Sequence, residues 1–133
     1  MTTTANSVEL VQGLFEAFGR GDIPYILERV SPDCRWSSPG EGLPYAGTVT
    51  GSAGAAMFFE KLGASEEVTH FEPREFFAKG DDVVVLGYEE CRARLTGKTM
   101  STNWAMVFRI RDGMVVGWES FFDTAAYLRA HQG

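Results

Sequence analysis

The chain is poor in basic charge. Twelve Lys and Arg stand against 18 Asp and Glu, a formal net charge of −6. No basic stripe is left to follow a phosphate backbone, so no nucleic-acid partner is expected. Neither sign of charge forms a run of the kind that makes an interaction tail. Metal- and redox-active residues are also scarce. The two histidines, His70 and His131, lack ligand spacing, and the two cysteines, Cys34 and Cys91, form no CxxC. No metal and no cofactor are expected. Reduced thiols in the cytoplasm are the simplest reading, with a Cys34–Cys91 bridge left open. No apolar run approaches membrane-spanning length, so no membrane attachment is expected. Residues 1–7, MTTTANS, carry neither the basic nor the apolar region of a secretory leader. GxGxxG, P-loop and GxSxG motifs are absent, which leaves nucleotide-binding and serine-hydrolase readings without support.

Aromatic mass is what the chain has in quantity. Ten Phe, four Tyr and three Trp in 133 residues exceed what a minimal core requires. Such residues fill a core first; lining an apolar pocket is the functional alternative. The length reads as one domain, 1–133.

Val8, Val11, Leu14, Phe15 and Phe18 recur at helical spacing, with Asn6 as a cap and Gly19 and Gly21 as a stop. Asp22 caps a second helix, DIPYILERV, in which Pro24 falls in the tolerant first turn. Ser31-Pro32-Asp33 reads as a turn and Cys34 to Ser37 as a short strand. Residues 37–51, with two Pro and four Gly, read as a loop long enough for a lid or a surface excursion. A third helix is expected from Ser52 to Leu62, with Gly63 at its C′ position. Strands follow at 68–79, 82–96, 99–111 and 114–123. An Asp112-Gly113 hairpin turn joins the last two, and Asp123 caps a final helix, TAAYLRAH. The order predicts an α+β fold with a meandering antiparallel sheet.

Alternation along the strands separates their faces. Thr102, Trp104, Met106, Phe108 and Ile110 should face inward from 99–111. Val116, Trp118, Ser120 and Phe122 should do so from 114–123, leaving Val115, Glu119, Phe121 and Asp123 outward. An outer face carrying Val107 and Phe121 would suit a second copy of the chain, or be covered by its own terminal segment. In 82–96 one face reads Val83, Val85, Gly87, Glu89, Cys91, Ala93 and Leu95. Glu89 is the lone carboxyl on it. Burial would raise its pKa toward the range useful for acid–base work; a bulge or an arginine partner would make it structural. Gly87, Cys91 and Ala93 leave space beside it that Trp104 and Trp118 either wall or fill. His70 reads as a surface residue, and His131 as an exposed one near the terminus.

LFEAFGRGD at 14–22, SPDCRW at 31–36 and RIRDGMVVGWESFFD at 109–123 together resemble the SnoaL-like and ketosteroid-isomerase-like branch of the nuclear-transport-factor-2-like superfamily. The resemblance covers nearly the whole chain. It implies a cone-shaped, curved antiparallel sheet wrapped around N-terminal helices (a cystatin-like α+β roll) that encloses a small-molecule pocket; the apolar outer sheet face adds the expectation of a homodimer. It does not carry over a known activity. Ketosteroid isomerase uses an Asp base and an oxyanion hole of Tyr plus protonated Asp. Its base position falls on Ser38, its Tyr on Leu14 and its second Asp on Met106. The acidic residue of SnoaL-like aldol cyclases also falls near Met106. The Asp–Arg–Asp trio of limonene-epoxide-hydrolase-like enzymes has no inward-facing match, although Glu89 could replace one member. The expectation is a protein that binds a small hydrophobic or aromatic molecule. If it is catalytic, Glu89 serves as cofactor-free acid or base in isomerase, cyclase or hydrolase chemistry. Trp36, Trp104, Met106, Trp118 and Phe122 then shape the walls, and Ser38, Thr102 and Ser120 orient the ligand. A non-catalytic binding or dimerisation module is the alternative, and a protein-transport adaptor a third.

Overall fold

The computed structural model describes residues 4–133, with side chains from Asn6 onward. Helix α1 (Thr4–Gly19) runs across the sheet with Val11, Leu14 and Ala17 buried. The expected cap Asn6 lies inside this helix. Helix α2 (Ile23–Leu27) is shorter than expected, but its cap is in place: the Asp22 carboxylate accepts from the Tyr25 backbone N–H at 3.2 Å. Strand β1 (Val30–Ser38) absorbs Ser31-Pro32-Asp33, which is an irregularity in the β1 pairing rather than a turn.

Residues 37–51 are not all loop. Strand β2 (Gly47–Thr50) pairs antiparallel with β1, and Leu43 and Tyr45 are buried. GTVT offers one large apolar side chain, too few for alternation to register. Helix α3 (Gly51–Ser65) runs through Gly63 and ends with Glu66 extended, so Gly63 is no C′ residue. Gly51 starts the helix at φ +73, with a Cβ position only 2.8 Å from the Pro32 carbonyl oxygen, so only glycine fits there.

Four long strands follow: β3 (Glu66–Lys79), β4 (Asp82–Ala93), β5 (Thr99–Arg111) and β6 (Met114–Phe121), then helix α4 (Thr124–His131). The sheet order is β2-β1-β6-β5-β4-β3. All pairs are antiparallel except β1–β6, which is parallel. Asp112 and Gly113 both have positive φ, 52° and 75°, as the hairpin between β5 and β6 requires. Two register shifts in β3, at Val68/His70 and Pro73/Glu75, bend this edge strand. Pro73 is tolerated there because β3 has a neighbour on one side only. The six strands form a curved, unclosed sheet with the helices on its concave side, the expected α+β cone.

The faces of β4 and β5 follow the alternation, except that Leu95 lies beyond β4 and is 89% exposed. In β6 the parity breaks. Ile110 pairs with Val115 while Arg109 pairs with Gly117, so Val116 is the extra residue of a bulge. Val115 is therefore fully buried and Val116 turns to the outer side, the reverse of the expectation. Both cysteines are buried free thiols with no bridge between them.

Candidate functional site

The concave face of the sheet, α1, α3 and α4 line a half-open cavity of about 100 Å³. A water needs roughly 10–15 Å³, so the space exceeds a packing defect. Its walls are mostly rings. Trp36 stacks on Trp118 with centroids 4.3 Å apart, and Phe58 packs against both. Opposite them, Trp104 stacks on Phe71 at 5.1 Å and on Phe15 at 5.7 Å. All three tryptophans of the chain line the space. Trp104 also occupies the room above Gly87: a Cβ at that position would sit 2.2 Å from the indole. The gap left by Gly87 is thus filled by Trp104, and the cavity lies beyond it.

The sequence-picked residues divide as follows. Trp36, Ser38, Trp104, Met106, Trp118, Ser120, Phe122 and Glu89 all line the cavity. The Ser38 and Ser120 hydroxyls face each other at 3.5 Å across the β1–β6 pairing. Thr102 is buried but does not line the space. Its hydroxyl accepts from the Asp123 backbone N–H at 3.0 Å and donates to the Asn103 carbonyl at 2.7 Å, so it fixes the entry to α4 instead of a ligand. Leu14 and Met106 are both in the lining.

Polar chemistry gathers where β3, β4 and α4 meet. Glu89 is partly buried, and its Oε2 accepts from the Tyr127 hydroxyl at 2.6 Å and the Cys91 thiol at 3.1 Å. Desolvation raises the Glu89 pKa above the ordinary carboxylate value; the Tyr127 and Cys91 hydrogen bonds oppose that shift, and the nearby Glu66 charge adds to it. Burial and the Glu89 charge push the Tyr127 hydroxyl and the Cys91 thiol upward, so both stay protonated donors near neutral pH. Cys34 is also held protonated, at about 11, by burial and then by Asp33.

A second carboxylate completes the group. Glu66, at the first residue of β3, is 3% exposed and lines the cavity. Its Oε2 accepts from the Tyr45 hydroxyl at 2.5 Å, and the His131 ring nitrogen Nε2 lies 2.8 Å away. Burial, then Glu66, raises the Tyr45 pKa. His131 is therefore not the exposed terminal residue the sequence suggested; only 14% of its side chain is accessible. His70 does lie at the surface, in contact with Glu72. Sequence reading missed Tyr45, Glu66, Tyr127 and His131. Only Tyr127 carried a signal, through the spacing of Tyr127 and Ala130 on one face of α4.

Among the described residues there is no cluster of His, Cys, Asp and Glu able to hold a metal, and no helix long and apolar enough to cross a membrane.

Residues 11–118 match the family model of the SnoaL-like domain, and the chain belongs to that family. Its fold is shared with a nuclear-transport-factor-2-like protein from Burkholderia xenovorans, at 34% identity over 99% of both chains and a TM-score of 0.88. A nuclear-transport-factor-2-like protein of unknown function from Burkholderia pseudomallei is similar at 29% identity over 100% of both, with a TM-score of 0.89. TerC, co-crystallised with polyporic acid, is similar at 29% identity over 96% of this chain and 98% of its own, with a TM-score of 0.81. No curated protein matches the chain.

Proposed function

We propose that this protein binds a small, largely apolar aromatic molecule in the cone's cavity and uses Glu89 as a cofactor-independent acid–base group. The observation that carries this reading is Glu89 itself: a carboxylate lining an aromatic-walled cavity, with no Lys, Arg or His among the described lining residues and a pKa raised by desolvation. A raised carboxyl can hold a proton closer to neutral pH, which suits proton transfer to or from carbon or oxygen. Both hydrogen bonds it accepts fall on Oε2. Oε1 is then the oxygen that meets a ligand, while Tyr127 and Cys91 hold the group in one orientation. Ser38 and Ser120 add two hydroxyls to the lining. The relationship to a protein co-crystallised with polyporic acid supports a small organic ligand. Isomerase and cyclase chemistry on a small carbonyl compound fits such a site, because both need one movable proton and no redox partner.

The packing of Trp104 into the Gly87 gap favours a second reading, a binding module without chemistry. Proton exchange separates the two. Protein incubated with 2-tetralone in deuterated buffer should speed deuterium entry next to the carbonyl. Glu89→Gln should lower that rate about 10²- to 10⁴-fold with the fold intact. Exchange that survives the substitution removes Glu89 from the mechanism. No exchange by the wild-type chain leaves the binding module.

We also propose that two copies pair through the outer sheet face. Phe121, 48% exposed, and the partly buried Val107 and Val116 lie on that side. Arg35 and Glu119 sit beside the valines and give the face both signs of charge, which suits a two-fold pairing.

A further inference from the structure

The charge of the cavity's polar lining deepens the small-molecule reading above and rests on it. Among the described residues that line the space, none is Lys, Arg or His, while two are glutamates. His131 reaches Glu66 from outside the lining. A ligand anion placed there would leave water without any cation to meet it, and burying an unpaired charge is costly. A hydroxyl meets no such penalty. At Glu89 and Glu66 the hydrogen bonds all fall on Oε2, which leaves each Oε1 to accept a ligand O–H.

A second observation concerns the other wall. The indole N–H groups of Trp36 and Trp104 are buried without a hydrogen-bond partner among the described residues, and both side chains line the cavity. Neither N–H has surface open to the space, and the Trp104 ring-junction carbon next to its nitrogen packs on Gly87, so these donors belong to tight aromatic packing and a ligand's polar contacts fall to the glutamates. An aromatic hydroxyl gives its hydrogen to a glutamate oxygen and brings no charge to bury. We propose that the cavity selects an uncharged aromatic compound bearing a hydroxyl group and rejects the matching carboxylate.

Calorimetric titration of the intact chain near neutral pH with naphthalene, 2-naphthol and 2-naphthoate tests this. The expected order is 2-naphthol tightest, at least about tenfold over naphthalene, as a hydrogen bond to a charged or polarised group warrants. 2-Naphthoate should be at least about tenfold weaker than 2-naphthol. Glu89→Gln should narrow the naphthol-to-naphthoate ratio by threefold or more, with circular dichroism checking the fold. Glu66→Gln serves the same purpose should the first variant misfold. Naphthoate binding as tightly as naphthol, while naphthalene binds too, overturns the charge selection and leaves the cavity a ligand site. An unchanged ratio in a folded variant also overturns it. No heat from any of the three overturns both the selection and the small-molecule reading.

Discussion

Glycine at position 87 does more than break a strand. It lets the Trp104 indole lie flat against β4, and that indole anchors the Phe15–Trp104–Phe71 stack on one side of the cavity. Gly87→Ala puts a methyl group 2.2 Å from that ring. Overpacking of this kind typically costs about 1–3 kcal/mol. Urea denaturation should therefore show a lower midpoint with an unchanged slope. A midpoint equal to the wild type would mean that the indole has another rotamer of equal energy. At this scale the sequence was informative about parity and silent about partners. Alternation singled out Glu89, because strand periodicity is fixed by the backbone. It could not reveal Glu66, which sits where a helix becomes a strand and belongs to neither period. Alternation also set Cys91 beside Glu89, but it could not reveal that Tyr127 would meet Glu89, since that contact spans 38 residues of chain.

Helix α4 has a larger part than its eight residues suggest. It carries Tyr127 to Glu89 and places His131 just after Ala130, against Glu66. Its start is fixed from two sides: the Asp123 carboxylate accepts from Ala126 N–H at 3.1 Å, and Thr102 accepts from Asp123 N–H. Asp123→Ala removes the first of these, at a cost of about 0.5–2 kcal/mol. The loss should appear in thermal melting, and faster amide exchange should be confined to residues 124–131. Uniform loosening across the sheet would show that the cap does not act locally. The caps at Asp22 and Asp123 and the Asp112-Gly113 turn were all legible, because each is a short-range signal complete within four residues. Strand β2 and the bulge at Val116 were not. A bulge depends on the partner strand, and GTVT forms a strand only because β1 offers it an edge.

For the molecule as a whole, the two faces of the sheet have separate roles: the concave side holds the cavity, and the outer side carries the candidate pairing surface. Phe121→Glu together with Val107→Glu should turn a dimer into a monomer in sedimentation velocity, because two carboxylates would oppose their symmetry mates. Dimers that persist would place the interface elsewhere. The general architecture was readable from hairpin, caps and motif resemblance, since the scaffold is encoded along most of the chain. The chemistry was less so. The polar cluster in the cavity is assembled from β3, β4, α4 and the segment holding Tyr45, which lie far apart along the chain.

The central claim is that Glu89 is a desolvated carboxyl facing a ligand space. A carbon-detected NMR titration of its side-chain carboxyl, assigned with Glu89→Gln, measures this directly. The account predicts a pKa above the ordinary glutamate value of about 4.3, in the direction that desolvation dictates. A value at or below it would mean a solvated or ion-paired Glu89, and would contradict its role as the acid–base group of this site.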